Sequence, residues 1–132
     1  MTAQYSVAAR NARADAITTA VGNAGLLRIY MGAPPADCAA AATGTLLSQH
    51  TMGSPLAPAA SGGTSAFTPP ANVNASATGT ASHFRIYKAD GTTCVAQGTV
   101  GASGADINLN TTSIVSGGPV VINSLGIVEG GA

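Results

Sequence analysis

The sequence predicts a mainly β protein: an antiparallel β-sandwich of jelly-roll type with one N-terminal α-helix. Three observations lead there. The first part of the chain is rich in alanine and free of proline until Pro34. After Gly25 the apolar residues change from steps of three and four to alternation. From there on, Gly and Pro turns interrupt short branched or aromatic runs every 8 to 12 residues or so, as in sandwiches and barrels.

Gln4 to Val21 is the one helix candidate. Val7, Ala14, Ile17 and Val21 make a thin apolar stripe that Asn11 interrupts. Gly22 or Gly25 ends it, because glycine tolerates the left-handed conformation at a helix C-terminus. Arg10, Arg13 and Asp15 fall off the stripe and should meet solvent or a partner. The chain then divides into a helix or arm over 1–25 and a β domain over 26–132.

Leu26 to Met31 is the first strand, and Pro34-Pro35 in "GAPPADCAAAATG" makes the next stretch an extended connection. Thr45 to Met52 is a second strand. "GSPLAPAASGG" is a loop, Thr64 to Thr68 a short third strand, and Asn72 to Thr78 a loop or an edge strand. Thr80 to Lys88 is the strongest strand. Asp90-Gly91 turns it back into Thr93 to Val100. Asp106 to Leu109, Thr112 to Val115 and Val120 to Val128 complete the set.

The tripeptide Arg-Ile-Tyr occurs twice, at Arg28-Ile29-Tyr30 and Arg85-Ile86-Tyr87, in a chain with only five Lys or Arg. Alternation puts Leu27, Ile29 and Met31 on one face of the first copy, with Arg28 and Tyr30 on the other. In the second copy Phe84 and Ile86 oppose Arg85 and Tyr87. Leu27, Ile29, Phe84 and Ile86, joined by Val120, Ile122 and Leu125, are the expected core. The two Arg-Tyr pairs define a half-polar second face, able to carry the helix or a partner. A cysteine follows each copy, at Cys38 and Cys94, as in two related hairpin-like units; two good central strands without true repetition give the same pattern.

Composition narrows the function. Charged residues are 8% of 132, against roughly 25% in ordinary domains, and formal net charge is zero. Mean hydropathy is +0.29, unlike a disordered chain. Five basic and five acidic residues give no electrostatic footprint for nucleic acid. A run long enough to cross a membrane as a helix is missing, and the N-terminus does not read as a signal peptide. A small domain with so little charge has little protection against association. Other protein is therefore expected to cover much of its surface, including further copies of itself as a dimer or other homo-oligomer. Tyr5, Arg10, Arg13, Pro34, Pro35, Arg28, Tyr30, Arg85 and Tyr87 are the contact candidates, together with the proline-rich segments Gly32 to Asp37 and Gly53 to Pro70.

Chemistry has few candidates. His50, His83, Cys38 and Cys94 lack metal-ligand spacing, and cytoplasmic synthesis disfavours a disulfide. The cysteines are expected reduced, buried and free of metal. Asp15, Asp37, Asp90, Asp106 and Glu129 are too scattered for an acid/base pair, and Asp90 and Asp106 are absorbed by turns. No catalytic residue, metal or cofactor is expected, so the reading is not an enzyme.

"FRIYKADGT" and "GADINLNTTSIVSGGPV", with the preceding helix and "LLRIYMGAPPADC", resemble small virion structural proteins of tailed phages and prophages. The resemblance covers nearly the whole chain. It implies a capsid cement or decoration protein that binds the major capsid protein and itself, made in a bacterial cytoplasm and located in the virion. The alternative it leaves is a neck, tail or fibre-associated structural or receptor-binding module.

Overall fold

The computed structural model describes residues 4–53, 59–66 and 70–128, with side chains for all of these except 65, 66 and 124–128. Residues 54–58 and 67–69, which belong to the predicted loop, the third strand and the proline-rich contact segment Gly53 to Pro70, lie outside what is described, as do Glu129 and the side chain of Leu125.

The chain is mainly β with one N-terminal helix, α1 (Val7–Val21). The helix starts three residues later than predicted. Ser6, in extended conformation, caps it by accepting a hydrogen bond from Ala9 N at 3.1 Å, which leaves Gln4 and Tyr5 outside. It ends at Gly22, φ 72°. Val7 is half exposed instead of on a buried stripe; Ala14 and Val21 are buried, with Ile17 packed against the core. Asn11 and Asp15, set aside above as an interruption and a solvated charge, dock the loop over the helix. Asn11 Oδ1 accepts from Gly63 N and Asp15 Oδ1 from Ala60 N, both at 2.7 Å.

Eleven strands follow among the described residues: β1 (Leu26–Met31), β2 (Thr45–Thr51), β3 (Thr64–Ala66), β4 (Val73–Asn74), β5 (Gly79–Thr80), β6 (His83–Tyr87), β7 (Cys94–Gly101), β8 (Ile107–Leu109), β9 (Ser113–Ile114), β10 (Pro119–Val120) and β11 (Ile122–Val128). Seven form one curled sheet in the order β2-β1-β6-β7-β8-β11-β3. The two short ladders β10-β4 and β5-β9 add buried residues to the same core, among them Ile114 and Val120.

Two predicted strands are split. Thr80 to Lys88 breaks at Ala81-Ser82: β5 pairs with β9, whereas β6 pairs with β1 and β7. The break is fixed by Ala81 N donating to Thr112 O and Ser82 N to Tyr30 O. Val120 to Val128 breaks at Val121, so that β10 joins β4 and β11 joins β8 and β3.

One pair departs from antiparallel pairing. β8 runs parallel to the end of β7, with Val100 opposite Ile107. Such a pair ordinarily needs a long crossover. Here residues 102–106 loop back on themselves. Asp106 Oδ2 accepts from Thr99 N at 3.0 Å and Thr99 Oγ1 at 3.2 Å, and Asn108 Oδ1 from Ala105 N at 3.2 Å.

The core has the predicted membership where it is described. Leu27, Ile29, Phe84, Ile86, Val120 and Ile122 are buried in one cluster, with Leu47, Met52, Ile107, Leu109 and Val21. Each such aliphatic side chain contributes about 1.5–3 kcal/mol by leaving water.

Candidate functional site

The two Arg-Ile-Tyr strands are antiparallel neighbours, in register about their arginines. Arg28 stands opposite Arg85, Leu27 opposite Ile86, and Ile29 opposite Phe84. On the far side of β6, Gln97 of β7 stands opposite Arg85 and Thr99 opposite His83. One face of β1, β6 and β7 is the apolar core. The other carries Arg28, Tyr30, His83, Arg85, Tyr87 and Gln97.

Like charges directly opposite each other destabilise a sheet. This pair is relieved by an aromatic ring and by turning the guanidinium groups apart. The Tyr87 ring centroid lies 4.6 Å from Arg28 Cζ and 5.5 Å from Arg85 Cζ, within cation–π range. Arg28 then donates to Gln49 Oε1 at 2.8 Å and to Gly91 O at 3.1 Å. Arg85, only 2% exposed, donates from Nη1 to Tyr87 Oη at 3.0 Å. Its Nη2 reaches the carbonyls of Asp37, Cys38 and Ala40 at 3.3, 3.1 and 2.8 Å. A planar fork suits several carbonyls at once as an ammonium would not.

Those carbonyls belong to the connection after β1, so the chain's own 32–44 segment lies over the Arg-Tyr face like a strap. Gln97 Nε2 donates to Pro35 O at 2.9 Å. Ser82 Oγ donates to Gly32 O at 2.6 Å, and His83 Nδ1 approaches the same oxygen at 3.2 Å. Cys38 and Cys94 are joined by a disulfide. The expectation of reduced, buried thiols is corrected: both cysteines are half-buried and paired, with Cα atoms 5.4 Å apart. The compartment argument weighed only where the chain is made. The register of β6 and β7 and the grip of Arg85 on the strap bring the sulfurs together.

His83 stacks on Tyr30, ring centroids 5.2 Å apart and planes 8° from parallel. Its Nδ1 lies 3.2 Å from both Gly32 O and Ser82 Oγ, and its Nε2 is buried without a hydrogen-bond partner. Burial pushes the His83 pKa below its ordinary value, and the Arg85 charge adds to this against the opposing Gly32 carbonyl. Burial likewise raises the Tyr30 hydroxyl, helped by Tyr87 beside it.

A second constellation lies on the core side. Ser48 and His50 of β2 are 2% and 0% exposed. His50 Nδ1 lies 3.2 Å from Ala71 O and therefore donates, so Nε2 accepts from Ser48 Oγ at 3.1 Å. A Ser-His pair of this geometry could activate a hydroxyl, and both side chains are buried. It ties β2 to the backbone at Ala71, and burial lowers its imidazole pKa. Sequence reading missed it; Ser48-Gln49-His50 alternates as a strand does, but nothing local shows that this face is the core.

The remaining contact candidates divide. Tyr5 is exposed, with Arg13 over its ring at 4.9 Å. Arg10 is half-buried, its guanidinium set against Gly63. Pro34 is exposed and Pro35 buried. Tyr30, Arg85 and Tyr87 are buried and Arg28 half-buried, so the face expected to take the helix or a partner is occupied by the strap instead. Among the described residues, no three His, Cys, Asp or Glu side chains gather as metal ligands, and no helix is long and apolar enough to cross a membrane.

Comparison of the chain with protein-family models, with curated proteins and with solved structures gives no match.

Proposed function

We propose that this protein works by binding other protein subunits, as a virion structural component of the capsid cement or decoration kind. The observation that carries the reading is how the chain spends its few charges. Each described carboxylate, Asp15, Asp37, Asp90 and Asp106, accepts hydrogen bonds from the chain's own backbone. Arg85 is committed to the strap, and Arg28 to Gln49 and the β6–β7 hairpin. Asp37, Asp90, Asp106, Arg13 and Lys88 are exposed, and the rest of the described outer surface is mostly Ser, Thr, Asn, Ala, Gly and Pro.

Such a surface suits a repeated protein–protein contact, because burying it strands little unpaired charge. On a lattice, many weak contacts made together supply the affinity. The likeness of "FRIYKADGT" and "GADINLNTTSIVSGGPV" to structural proteins of tailed phages supplies the assembly: a capsid shell whose major subunits this protein clamps, with further copies of itself alongside. The contacting surfaces are the outer side of the strap, the helix start with exposed Tyr5 and Val7, and exposed Val115.

The test is the heat stability of the parent particle with and without the protein, together with its copy number. Loss of stability without it, and hundreds of copies, support the cement role. Equal stability with a few copies at one vertex or along the tail overturns it in favour of a neck or fibre component.

A further inference from the structure

Residues 33–44 are fastened to the sheet in two ways. One is polar, through Arg85 Nη2 to three carbonyls and Gln97 Nε2 to a fourth. The other is the Cys38–Cys94 bond. Little apolar burial backs either: Pro35 is buried and Cys38 half-buried, while the rest of the segment is exposed. A stretch with few buried apolar contacts sits at the low end of local stability. The two fastenings also converge. The Cys38 carbonyl is one of the acceptors of Arg85, and Cys94 stands opposite Tyr87, whose hydroxyl accepts from the same guanidinium.

We propose that the Cys38–Cys94 bond is a reversible lock on this strap, and that its reduction releases residues 33–44 from the Arg85–Tyr87 face while the sheet stays folded. The sheet survives because its core lies on the opposite face, and the core cluster contains no residue of the strap. Release lets the buried Arg85 guanidinium, whose Nε has no hydrogen-bond partner in the folded chain, take up water. The lock reforms without refolding, because β7 fixes Cys94 and Arg85 reseats Cys38 at a Cα separation of 5.4 Å, inside the range of roughly 4.4–6.8 Å that a disulfide spans.

The reductant is a small-molecule thiol, two of which give their electrons and protons to the two protein sulfurs and leave as the reagent disulfide; the oxidant is that small-molecule disulfide. One cysteine thiolate attacks a reagent sulfur, forming a mixed disulfide and expelling one reagent thiolate. The second cysteine thiolate attacks the protein sulfur of that mixed disulfide and expels the other. The two protein thiols are oxidised, the reagent is reduced to two thiols, and the two protons pass to the expelled thiolates.

Hydrogen exchange on the full chain, oxidised and reduced, tests the proposal at neutral pH and room temperature. Reduction should speed exchange in the strap, at Ala39 and Ala40 in particular, by about tenfold or more, with changes under about twofold in β1 and β6. The Cys38→Ser/Cys94→Ser double variant should show the reduced pattern. Oxidised glutathione should restore protection to the reduced wild-type chain and not to the variant. Unchanged strap exchange on reduction would show that the bond locks nothing. An equal rise across strap and sheet would show a staple of the whole fold. Either result overturns the proposal.

Discussion

Gly98→Ala offers a test in which packing and strand preference predict opposite signs. Gly98 lies in β7 on the core side, opposite Phe84. A methyl group there would fall 2.8 and 3.0 Å from two ring carbons of Phe84 and 2.5 Å from Asp106 Oδ2. Comfortable carbon contacts are about 3.5–4.0 Å. Alanine for glycine within a strand ordinarily stabilises, by about 0.5–1 kcal/mol. Here the Phe84 ring is held in the core at 7% exposure, so overpacking should cost about 1–3 kcal/mol. Displacing Asp106 also loosens its bonds to Thr99, worth about 1 kcal/mol. The net expectation is a loss of about 2 kcal/mol, read as a lower urea midpoint at unchanged slope or a fall in Tm of about 8 °C. Phe84→Leu in the same chain should make room for the methyl. The double variant should then lose about 1 kcal/mol less than the two single losses together. A neutral or stabilised Gly98→Ala variant would refute the close approach of β7 to Phe84 and the reasoning built on it.

Ile86→Ala, at a site 1% exposed between Leu27 and Ala96, should cost about 2–4 kcal/mol in urea unfolding; a loss below about 0.5 kcal/mol would mean the faces of β6 are reversed. Stability should decline as the pH falls below 6.5, because His50 and His83 have folded pKa values lowered from that figure by burial. The unfolded imidazoles take up protons that the folded ones resist, so the contribution is complete above that pH and is lost going down; urea midpoints that do not fall between neutral and mildly acidic pH would contradict it. Asp90 should titrate at about 2, against 3.8 unperturbed, held there by the Thr93 and Thr92 amides and the Thr93 hydroxyl. Its contribution is present above the higher value and lost as the pH drops through the lower one. Amide shifts of Thr92 and Thr93 that follow a midpoint near 4 would show that the turn does not form as described. Folded, unreduced protein should give no reaction at Cys38 or Cys94 with a thiol reagent until a reductant is added; two free thiols would remove the bridge.

What the sequence determined by itself is what alternation and turn chemistry encode within a few residues. The mainly β class, the single N-terminal helix, the bounds of β1 and the inward set Leu27, Ile29, Phe84 and Ile86 all follow from side-chain period. The Asp90-Gly91 hairpin and the role of Asp106 follow from a carboxylate's reach to nearby amides. What only the tertiary structure decided is who stands beside whom. Strand order placed Arg28 against Arg85, although a like-charge pair is locally unfavourable. The two cysteines pair because a strap crosses the polar face between them, a contact across 56 positions of sequence. Ser48 and His50 look like ordinary polar strand residues until β2 is known to turn that face toward the core. The breaks at Ala81-Ser82 and Val121 have the same origin. Hydrogen bonds to distant strands compete there with a locally continuous pattern, and the local pattern contains no information about which distant partner will win.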